Sequence, residues 1–231
     1  GVVGKKFSKI NSDHVDIVKI FKGKIDGLHT KDINDKKTFL WLKNKKPDLI
    51  ICLGWSHIVD KNILKIPKMG IIGYHPTDLP KNKGRHPIIW SIVLGLKKTA
   101  STFFFMNKKI DGGKIISKKM ISISKHDTAK DLYTKLNKAA CNQVFKILKD
   151  LKKGNIKSKK QNIVKANFWR KRHFSDGQIE WKMNAENIHN LIKGLGEPYV
   201  GAHFIFKNKI IKVWKAKLIK SKKTNFEPGK V

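Results

Sequence analysis

The sequence is poor in cysteine, in acidic residues and in long apolar runs. Its 231 residues include 2 cysteines, Cys52 and Cys141, and 17 acidic residues against 51 lysines and arginines. Two distant cysteines in apolar surroundings predict buried free thiols in a reducing compartment and argue against a disulfide framework. No apolar run approaches the ~18 residues of a membrane-spanning helix, and no signal-peptide pattern is present at the start. We therefore expect a cytoplasmic protein without a membrane partner.

Arginine is also scarce, although the formal net charge is +34. The sequence has 3 arginines, Arg85, Arg170 and Arg172, and the other residues of this basic set are lysines. Proteins that read bases or phosphates usually use the planar arginine fork. Lysines spread through a chain rich in asparagine and isoleucine favour a compositional bias of the source genome, while a selected polyanion-binding surface stays open. In either case we expect salt-sensitive attraction of phosphate-bearing ligands.

Short apolar runs alternate with helical patterns in the N-terminal part of the chain. Residues 49–53 and 70–74 are continuously apolar, which is typical of buried strands of a parallel sheet. Residues 32–46 predict a helix that Asn34 or Asp35 caps. This order predicts an α/β fold with a Rossmann-like, doubly wound, mostly parallel sheet. Ligands of such sheets bind beyond the carboxyl ends of the strands.

The predicted organisation has three parts. Residues 1–154 form a large domain, residues 155–177 form a basic connector, and residues 178–231 form a small appendage with one helix and a β-hairpin. The other elements that the sequence predicts are a strand at 2–3, short helices near 15–21 and at 58–64, a helix from Pro87, strands at 99–106, 115–123, 179–181 and 210–218, a helix capped by Asn184, and a long helix at 128–153 that Asp127 caps and Gly154 ends. The polar tail from Lys220 is expected to fray.

The stretch 70–116 carries the residues with catalytic potential. Its first strand ends in His75, and the strand ends of a doubly wound sheet face the ligand crevice. A later turn carries Asp111, Gly112 and Gly113, and glycines allow a backbone to approach a ligand closely. A carboxylate beside a histidine fixes its tautomer and stabilises the imidazolium, so such a pair suits proton transfer. The residues alone leave open a structural histidine and an ordinary turn aspartate.

Two segments, HPTDLPKNKGRHPIIW at 75–90 and STFFFMNKKIDGGKII at 101–116, resemble the formyltransferase superfamily that uses 10-formyltetrahydrofolate. Methionyl-tRNA formyltransferase, glycinamide ribonucleotide transformylase and the sugar-nucleotide N-formyltransferases belong to that superfamily. The resemblance covers most of the chain, from Pro47 to near Trp214. It implies that an amine attacks the formyl carbon of 10-formyltetrahydrofolate, with His75 as the catalytic histidine and Asp111 as the carboxylate that orients it.

The resemblance also implies residues for the two ligands. The residues expected to bind the cofactor are Trp55, Ser56, His57, Ile58, Val59, Asn107, Gly112 and Gly113. The residues expected to contact the substrate are Tyr74, Thr77 and Arg85, and a purely structural role of Arg85 in its loop stays open. No metal site is predicted.

One position departs from the family pattern at the reacting centre. The family has an asparagine two residues before the catalytic histidine, where this chain has Gly73. The asparagine is expected to donate to the developing oxyanion, and loss of one such donor costs about a hundred- to a thousandfold in rate. Alternation along the strand puts Tyr74 on the other face, so Ser56 and His57 are the best candidates to replace the donor. A slow, altered or inactive enzyme is the alternative.

The two ends of the chain also bear on the expected activity. The family domain opens with a central strand and a helix, so we expect Val2 and Val3 to belong to a later strand or to a remnant of that opening strand, and the natural chain to be longer. The short appendage at 178–231 favours a nucleotide-linked amino sugar as the substrate and allows a homodimer through the appendage. The charge favours tRNA, as in methionyl-tRNA formyltransferase, which is the less favoured alternative. A catalytically altered folate-binding homologue is the third.

Overall fold

The computed structural model describes residues 1–8 and 14–219. The strands in chain order are β1 (Val2–Gly4), β2 (Gly27–His29), β3 (Ile50–Cys52), β4 (Ile71–His75), β5 (Lys83–Gly84), β6 (Lys98–Phe105), β7 (Ile115–Ser122), β8 (Phe168–Trp169), β9 (Ala202–Phe206) and β10 (Lys209–Val213). The helices are α1 (Ile17–Ile20), α2 (Lys36–Lys45), α3 (Lys61–Leu64), α4 (Pro87–Val93), α5 (Ala129–Lys152) and α6 (Ala185–Leu195). Across these two ranges, no helix is long and apolar enough to cross a membrane.

The central sheet has four strands in the order β3-β4-β6-β7. β3 and β4 are parallel, whereas β4 with β6 and β6 with β7 are antiparallel. The pairs β1-β2 and β5-β8 are also parallel, and β9-β10 is an antiparallel hairpin. The predicted α/β fold with parallel strands is confirmed. The central sheet is mixed because the chain reverses its direction between β4 and β6.

β4 separates two hydrophobic clusters. The cluster on the α5 side contains Ile72, Phe103 and Ile147. The cluster on the other side contains Leu42, Val59, Ile63 and Ile71. Because side chains alternate along a strand, Gly73 and His75 share the face of Ile71 and point away from α5.

The long helix α5 begins one residue later than its predicted cap implies. Thr128, not Asp127, is the N-cap: its hydroxyl oxygen accepts from the backbone N–H of Asp131 at 3.3 Å, and the Asp131 carboxylate accepts from the N–H of Thr128 at 2.9 Å. Asp127 instead accepts from a backbone N–H of the preceding turn at 2.9 Å. Leu132 and Leu136 face the core, and full burial of each contributes about 1.5–3 kcal/mol.

The appendage shares a hydrophobic cluster with the large domain. Leu191, Ile192 and Leu195 of α6 pack with Ile89 of α4 and Ala202 of β9. This packing joins the hairpin to α4, the helix that follows the loop after β4. The appendage is therefore built onto the region that carries the candidate catalytic residues.

Some boundaries differ from the sequence prediction. Residues 179–181 form no strand, since Gln178 makes a single parallel bridge to His203 and the ladder does not continue. The short helix predicted from residue 58 begins at Lys61, and the last strand of the hairpin ends at Val213. The predicted tail from residue 220 lies outside the described residues.

Both cysteines are unpaired. Cys52 is half-buried in the cluster around Ile71, where burial raises the pKa of its thiol to about 11. Cys141 is exposed on α5, so the prediction of two buried thiols is wrong for this residue. It falls on the solvent face of an amphipathic helix, and its apolar neighbours in sequence do not surround it in space.

Candidate active site

His75 ends β4 with its side chain buried, at 6% exposure. Its Nε2 atom lies 2.9 Å from the carbonyl oxygen of Asn82, and its Nδ1 atom lies 3.8 Å from Oδ2 of Asp111. A carbonyl oxygen only accepts hydrogen bonds, so Nε2 carries the proton of the neutral ring. The lone pair on Nδ1 then faces the Asp111 carboxylate. Proton uptake at Nδ1 would create an imidazolium beside a carboxylate, so the arrangement suits a base that acts through Nδ1.

The loop after β4 is fixed by threonine hydroxyls. Thr77 is fully buried, and its hydroxyl donates to the carbonyl of Lys81 at 3.0 Å. Thr102 of β6 donates to the carbonyl of Thr77 at 2.6 Å. These bonds lead the loop back so that Asn82, at a φ of +61°, presents its carbonyl to His75. The hydroxyl of Thr77, which the resemblance assigned to the substrate, is thus used within the loop.

Asp111 lies in a tight turn that its neighbouring glycines permit. Its carboxylate accepts from the backbone N–H of Gly84 at 3.0 Å, and its own φ is +46°. A Cβ atom on Gly113 would lie 1.5 Å from the carbonyl oxygen of Phe105, so only glycine fits there. The structure therefore explains Gly113 by the approach of the turn to β6, whereas the sequence suggested the approach of a ligand.

The space beside Gly73 is occupied by apolar side chains. A Cβ atom on Gly73 would lie 2.8 Å from Cγ of Met106 and 3.0 Å from Cζ of Phe104. Gly73 and His75 share one face of β4, so these side chains occupy the position from which the family's asparagine would act. An asparagine at position 73 requires Met106 to move.

Arg85 links the segment after β3 to the loop after β4. Its guanidinium donates to the carbonyl oxygen of Ser56, and its backbone N–H donates to the carbonyl of Trp169 at 3.1 Å. Of the two roles left open for Arg85, these contacts favour the structural one.

In the segment after β3, the indole N–H of Trp55 is buried and has no hydrogen-bond partner among the described residues, while His57 is exposed. The indole N–H is a donor that a ligand could satisfy.

A cavity of about 400 Å³ joins two of the segments expected to bind the cofactor. It is lined by Ile58, Val59, Asp60, Lys61, Asn62 and Lys108. Its size falls in the range of about 300–1,000 Å³ that is usual for small-molecule sites. Asn107 is exposed on the same loop as Lys108, and its side-chain oxygen accepts from the N–H of Lys109 at 2.9 Å. Neither His75 nor Asp111 lines the cavity, so the pair and the cavity are separate features connected by residues 107–113.

The side chain of Asn34 fixes one wall of this cavity. Its amide nitrogen donates to the carbonyl of Ile58 at 2.9 Å, and its amide oxygen accepts from the N–H of Asp60 at 2.8 Å. The sequence suggested Asn34 only as an alternative helix cap, and Asp35 is the N-cap of α2. A contact across 24 residues of sequence has no local pattern that would reveal it.

Tyr74 lies on the face of β4 opposite His75. Its ring centroid is 4.9 Å from that of Phe103, and its hydroxyl accepts from the hydroxyl of Ser101 at 3.3 Å. Burial raises the pKa of Tyr74 to about 12. The structure thus places Tyr74 in the α5 cluster and does not bring it to the His75–Asp111 pair.

Lys83 adds a buried positive charge near the pair. It is 4% exposed, and its ammonium lies 5.7 Å from the ring centroid of Phe168. Burial lowers the pKa of Lys83, and the negative charge of Asp111 opposes this shift. The burial of Lys83 shows that the charge is built into the site.

Family models match most of the chain. The model described as "Formyl transferase" matches residues 9–148, and the model described as "Formyl transferase, C-terminal domain" matches residues 173–231.

Several curated proteins are similar in sequence. The bifunctional polymyxin resistance protein ArnA of Wigglesworthia glossinidia brevipalpis is 38% identical over 217 residues, which cover 91% of this chain and 33% of that protein. The methionyl-tRNA formyltransferase of Caldanaerobacter subterraneus subsp. tengcongensis is 33% identical over 193 residues, which cover 83% of this chain and 62% of that protein. The chain thus spans less than two thirds of the length of either relative.

Solved structures show the same fold. A methionyl-tRNA formyltransferase from Clostridium thermocellum has a TM-score of 0.71 at 23% identity, over 94% of this chain and 92% of that chain. A 4-N formyltransferase from Francisella tularensis has a TM-score of 0.70 at 20% identity, over 95% of this chain and 98% of that chain. HypX from Aquifex aeolicus in complex with tetrahydrofolic acid has a TM-score of 0.72 at 14% identity, over 93% of this chain and 37% of that chain.

Proposed function

Since the chain belongs to the formyl transferase family, we propose that it is an N-formyltransferase that moves a formyl group from 10-formyltetrahydrofolate to the amine of a nucleotide-linked amino sugar. One observation carries the proposal. The Nδ1 lone pair of buried His75 faces the Asp111 carboxylate at 3.8 Å, and a base placed in this way can remove the proton that an amine loses when it is acylated.

The proposed chemistry is assigned to residues of this chain. 10-Formyltetrahydrofolate supplies the formyl carbon: a bond from this carbon to the substrate amine forms, and its bond to the folate nitrogen breaks. Nδ1 of His75 takes the proton from the amine and returns it to the departing folate nitrogen. Asp111 stabilises the imidazolium in between, and general acid–base catalysis of this kind contributes about 10²–10⁴-fold. The carbonyl of Asn82 keeps the ring from turning, because it holds Nε2–H at 2.9 Å.

The residues fit a folate donor. The indole N–H of Trp55, which has no partner in the part of the chain that the structure describes, can donate to a pterin ring, and the cavity wall at Ile58 and Val59 is apolar on one side. Lys61 and Lys108 line the same cavity, and their ammonium groups suit the carboxylates of the folate tail. We assign cofactor binding to residues 55–59 with the loop 107–113.

The donor to the oxyanion is assigned to the segment after β3. Gly73 has no side chain, and Met106 fills the adjacent space. Ser56 and His57 lie on the segment that Arg85 holds against the loop after β4. We propose that one of these two side chains replaces the family's asparagine.

The local charge supports an anionic substrate. Burial and the nearby charges of Arg85, Arg172 and Lys171 lower the pKa of His86. The guanidinium of Arg172 lies 4.6 Å from the ring centroid of Trp90. Cationic and aromatic groups next to each other suit the phosphates and the base of a nucleotide.

We also propose a cytoplasmic homodimer. Ile205 and Ile210 are paired directly across the β-hairpin, on one of its faces, and are each more than half exposed, and exposed apolar surface of this kind is typical of protein interfaces. Unpaired cysteines are usual in a reducing compartment.

An activity screen tests the substrate class. The full chain is assayed with 10-formyltetrahydrofolate and either a panel of nucleotide-linked amino sugars or methionyl-tRNA, with release of tetrahydrofolate as the readout. We expect turnover of an amino sugar and none of the tRNA. Turnover of tRNA alone, with steeply salt-dependent binding, would instead support a methionyl-tRNA formyltransferase, which the net charge of +34 favours. Folate binding without any turnover would support an altered homologue, which Gly73 favours.

A further inference from the structure

The connector is hydrogen-bonded to Asp111 and to Asn82, the partner of His75. Residues 159–169, called the connector segment below, begin with Lys159, which pairs with Ile115 through two backbone hydrogen bonds of 2.8 Å each. They end with β8, which pairs with β5 in parallel. The two anchors pair with residues that follow the Asp111 turn and Asn82 in sequence.

Gln161 of the connector segment holds the Asp111 turn. Its amide nitrogen donates to the carbonyl oxygens of Asp111 and Gly113, each at 2.8 Å. Its amide oxygen is buried and has no partner among the described residues. The donor end of this side chain is therefore used twice, and the turn at a φ of +46° is fixed from the connector side.

Asn167 of the connector segment holds the partner of His75. Its side-chain oxygen accepts from the N–H of Asn82 at 2.8 Å, and its side-chain nitrogen donates to Oδ1 of Asn82 at 3.0 Å. Its carbonyl also accepts from the N–H of Lys83 at 3.0 Å. Asn82 in turn presents the carbonyl that fixes Nε2–H of His75.

We propose that Gln161 and Asn167 are positioning residues that set the geometry of the His75–Asp111 pair. Asn167 fixes the ring tautomer and its rotation through Asn82, and Gln161 fixes the carboxylate through its backbone. The two act from one segment, so the 3.8 Å separation of the pair depends on the connector. A displacement of about 1 Å in a catalytic group can cost about a hundredfold in rate. The catalytic consequence rests on the proposed function, while the geometric one does not.

Two near-isosteric variants, one truncation to alanine and one matched control test the proposal. Gln161→Glu keeps the size of the side chain but removes the donor to both carbonyls. Asn167→Asp keeps the acceptor for the Asn82 N–H and removes the donor, and Asn167→Ala removes both. Asn162→Ala is the control, because Asn162 lies in the same segment and its side chain accepts from the N–H of Val164 in its own turn, at 3.1 Å.

The first readout is the ring of His75 by ¹⁵N NMR on the full chain without ligands. The parent protein should show Nε2–H in the neutral ring. Asn167→Ala and Gln161→Glu should show mixed tautomers or a changed Nδ1 shift, and Asn162→Ala should match the parent. Unchanged His75 signals in both test variants would overturn the proposal, even if the protein proves to have no formyltransferase activity.

The second readout is the separation of kcat from KM. Asn167→Ala and Gln161→Glu should lower kcat by about ten- to a hundredfold, with KM for 10-formyltetrahydrofolate within about twofold of the parent value. The kcat of Asn167→Asp should lie between those of Asn167→Ala and the parent. An equal loss of kcat in Asn162→Ala would show that the connector acts only through general stability, and would also overturn the proposal.

Discussion

Met106 and Gly73 are matched in space: a Cβ atom at position 73 would lie 3.2 Å from the sulfur of Met106 and still closer to its Cγ. Gly73→Asn alone should therefore destabilise the protein, by about 1–3 kcal/mol for an overpacked site. In combination with Met106→Ala, the loss of unfolding free energy should be smaller than the sum of the two single losses, because the smaller side chain vacates the space that the asparagine needs.

Urea denaturation of the parent, the two single variants and the double variant measures this coupling. The same proteins should be assayed for formyl transfer. A higher kcat in the double variant than in Met106→Ala would show that a donor at position 73 can act in this site. Additive losses of stability would contradict the proposed contact between the two positions.

His75→Gln and Asp111→Asn should both remove most of the activity while the fold is kept. Glutamine cannot act as a base at the position of Nδ1. Asparagine can still accept from the N–H of Gly84 but lacks the charge that stabilises the imidazolium. We expect kcat to fall by about 10²–10⁴-fold in each case. His126→Gln is the control, since His126 is exposed in the turn before α5. Near-normal activity of His75→Gln would rule out the assigned role.

Asn34→Ala should weaken binding of the cofactor and leave the chemical step nearly intact. The Asn34 amide holds Ile58 and Asp60 through one donor and one acceptor contact, and loss of such a pair costs about 1–3 kcal/mol. KM for 10-formyltetrahydrofolate should rise severalfold with kcat within about twofold. The KM of Asn34→Asp, which keeps the acceptor, should lie between those of the parent and of Asn34→Ala.

Steady-state kinetics and direct binding of tetrahydrofolate provide the measurement. Asn44→Ala is the matched control, because Asn44 lies on the exposed side of α2. A fall in kcat without a change in KM would place Asn34 with the catalytic pair and not with the cavity.

The sequence predicted those parts of the site that lie within one element or one turn. The apolar run of β4 predicted a buried strand with His75 at its end, and His75 there lies 3.8 Å from Asp111. The glycines after Asp111 mark a tight turn. The sequence could not predict what fills the space beside Gly73, because Met106 reaches it across the sheet register. Nor could it predict Asn34 or Gln161, whose bonds connect distant segments.

The connector shows the same limit most clearly. β5 and β8 have two residues each, which is too short for a period of apolar residues to appear. Their pairing is set by tertiary contacts such as the close approach of Gly84, where a Cβ atom would lie 2.3 Å from the carbonyl oxygen of Trp169. The basic, irregular sequence of the connector therefore did not indicate that Gln161 hydrogen-bonds to Asp111 and Asn167 to Asn82.

Asp176 should make the protein sensitive to acid. Its hydrogen bond from Arg170 is the main cause that lowers the pKa of Asp176 in the folded chain, and the backbone N–H of His173 adds to it at 2.7 Å. A carboxyl whose pKa is lowered by folding stabilises the protein above its unfolded pKa of about 3.9 and loses this effect as the pH falls below that value. Asp176→Asn should therefore destabilise the protein at pH 7, and the difference from the parent should shrink as the pH falls to about 3. Urea denaturation at pH 7, 5 and 3 measures it, with Asp150→Asn on the outer end of α5 as the control. A difference that stays constant over this range would show that Asp176 acts through packing and not through its charge.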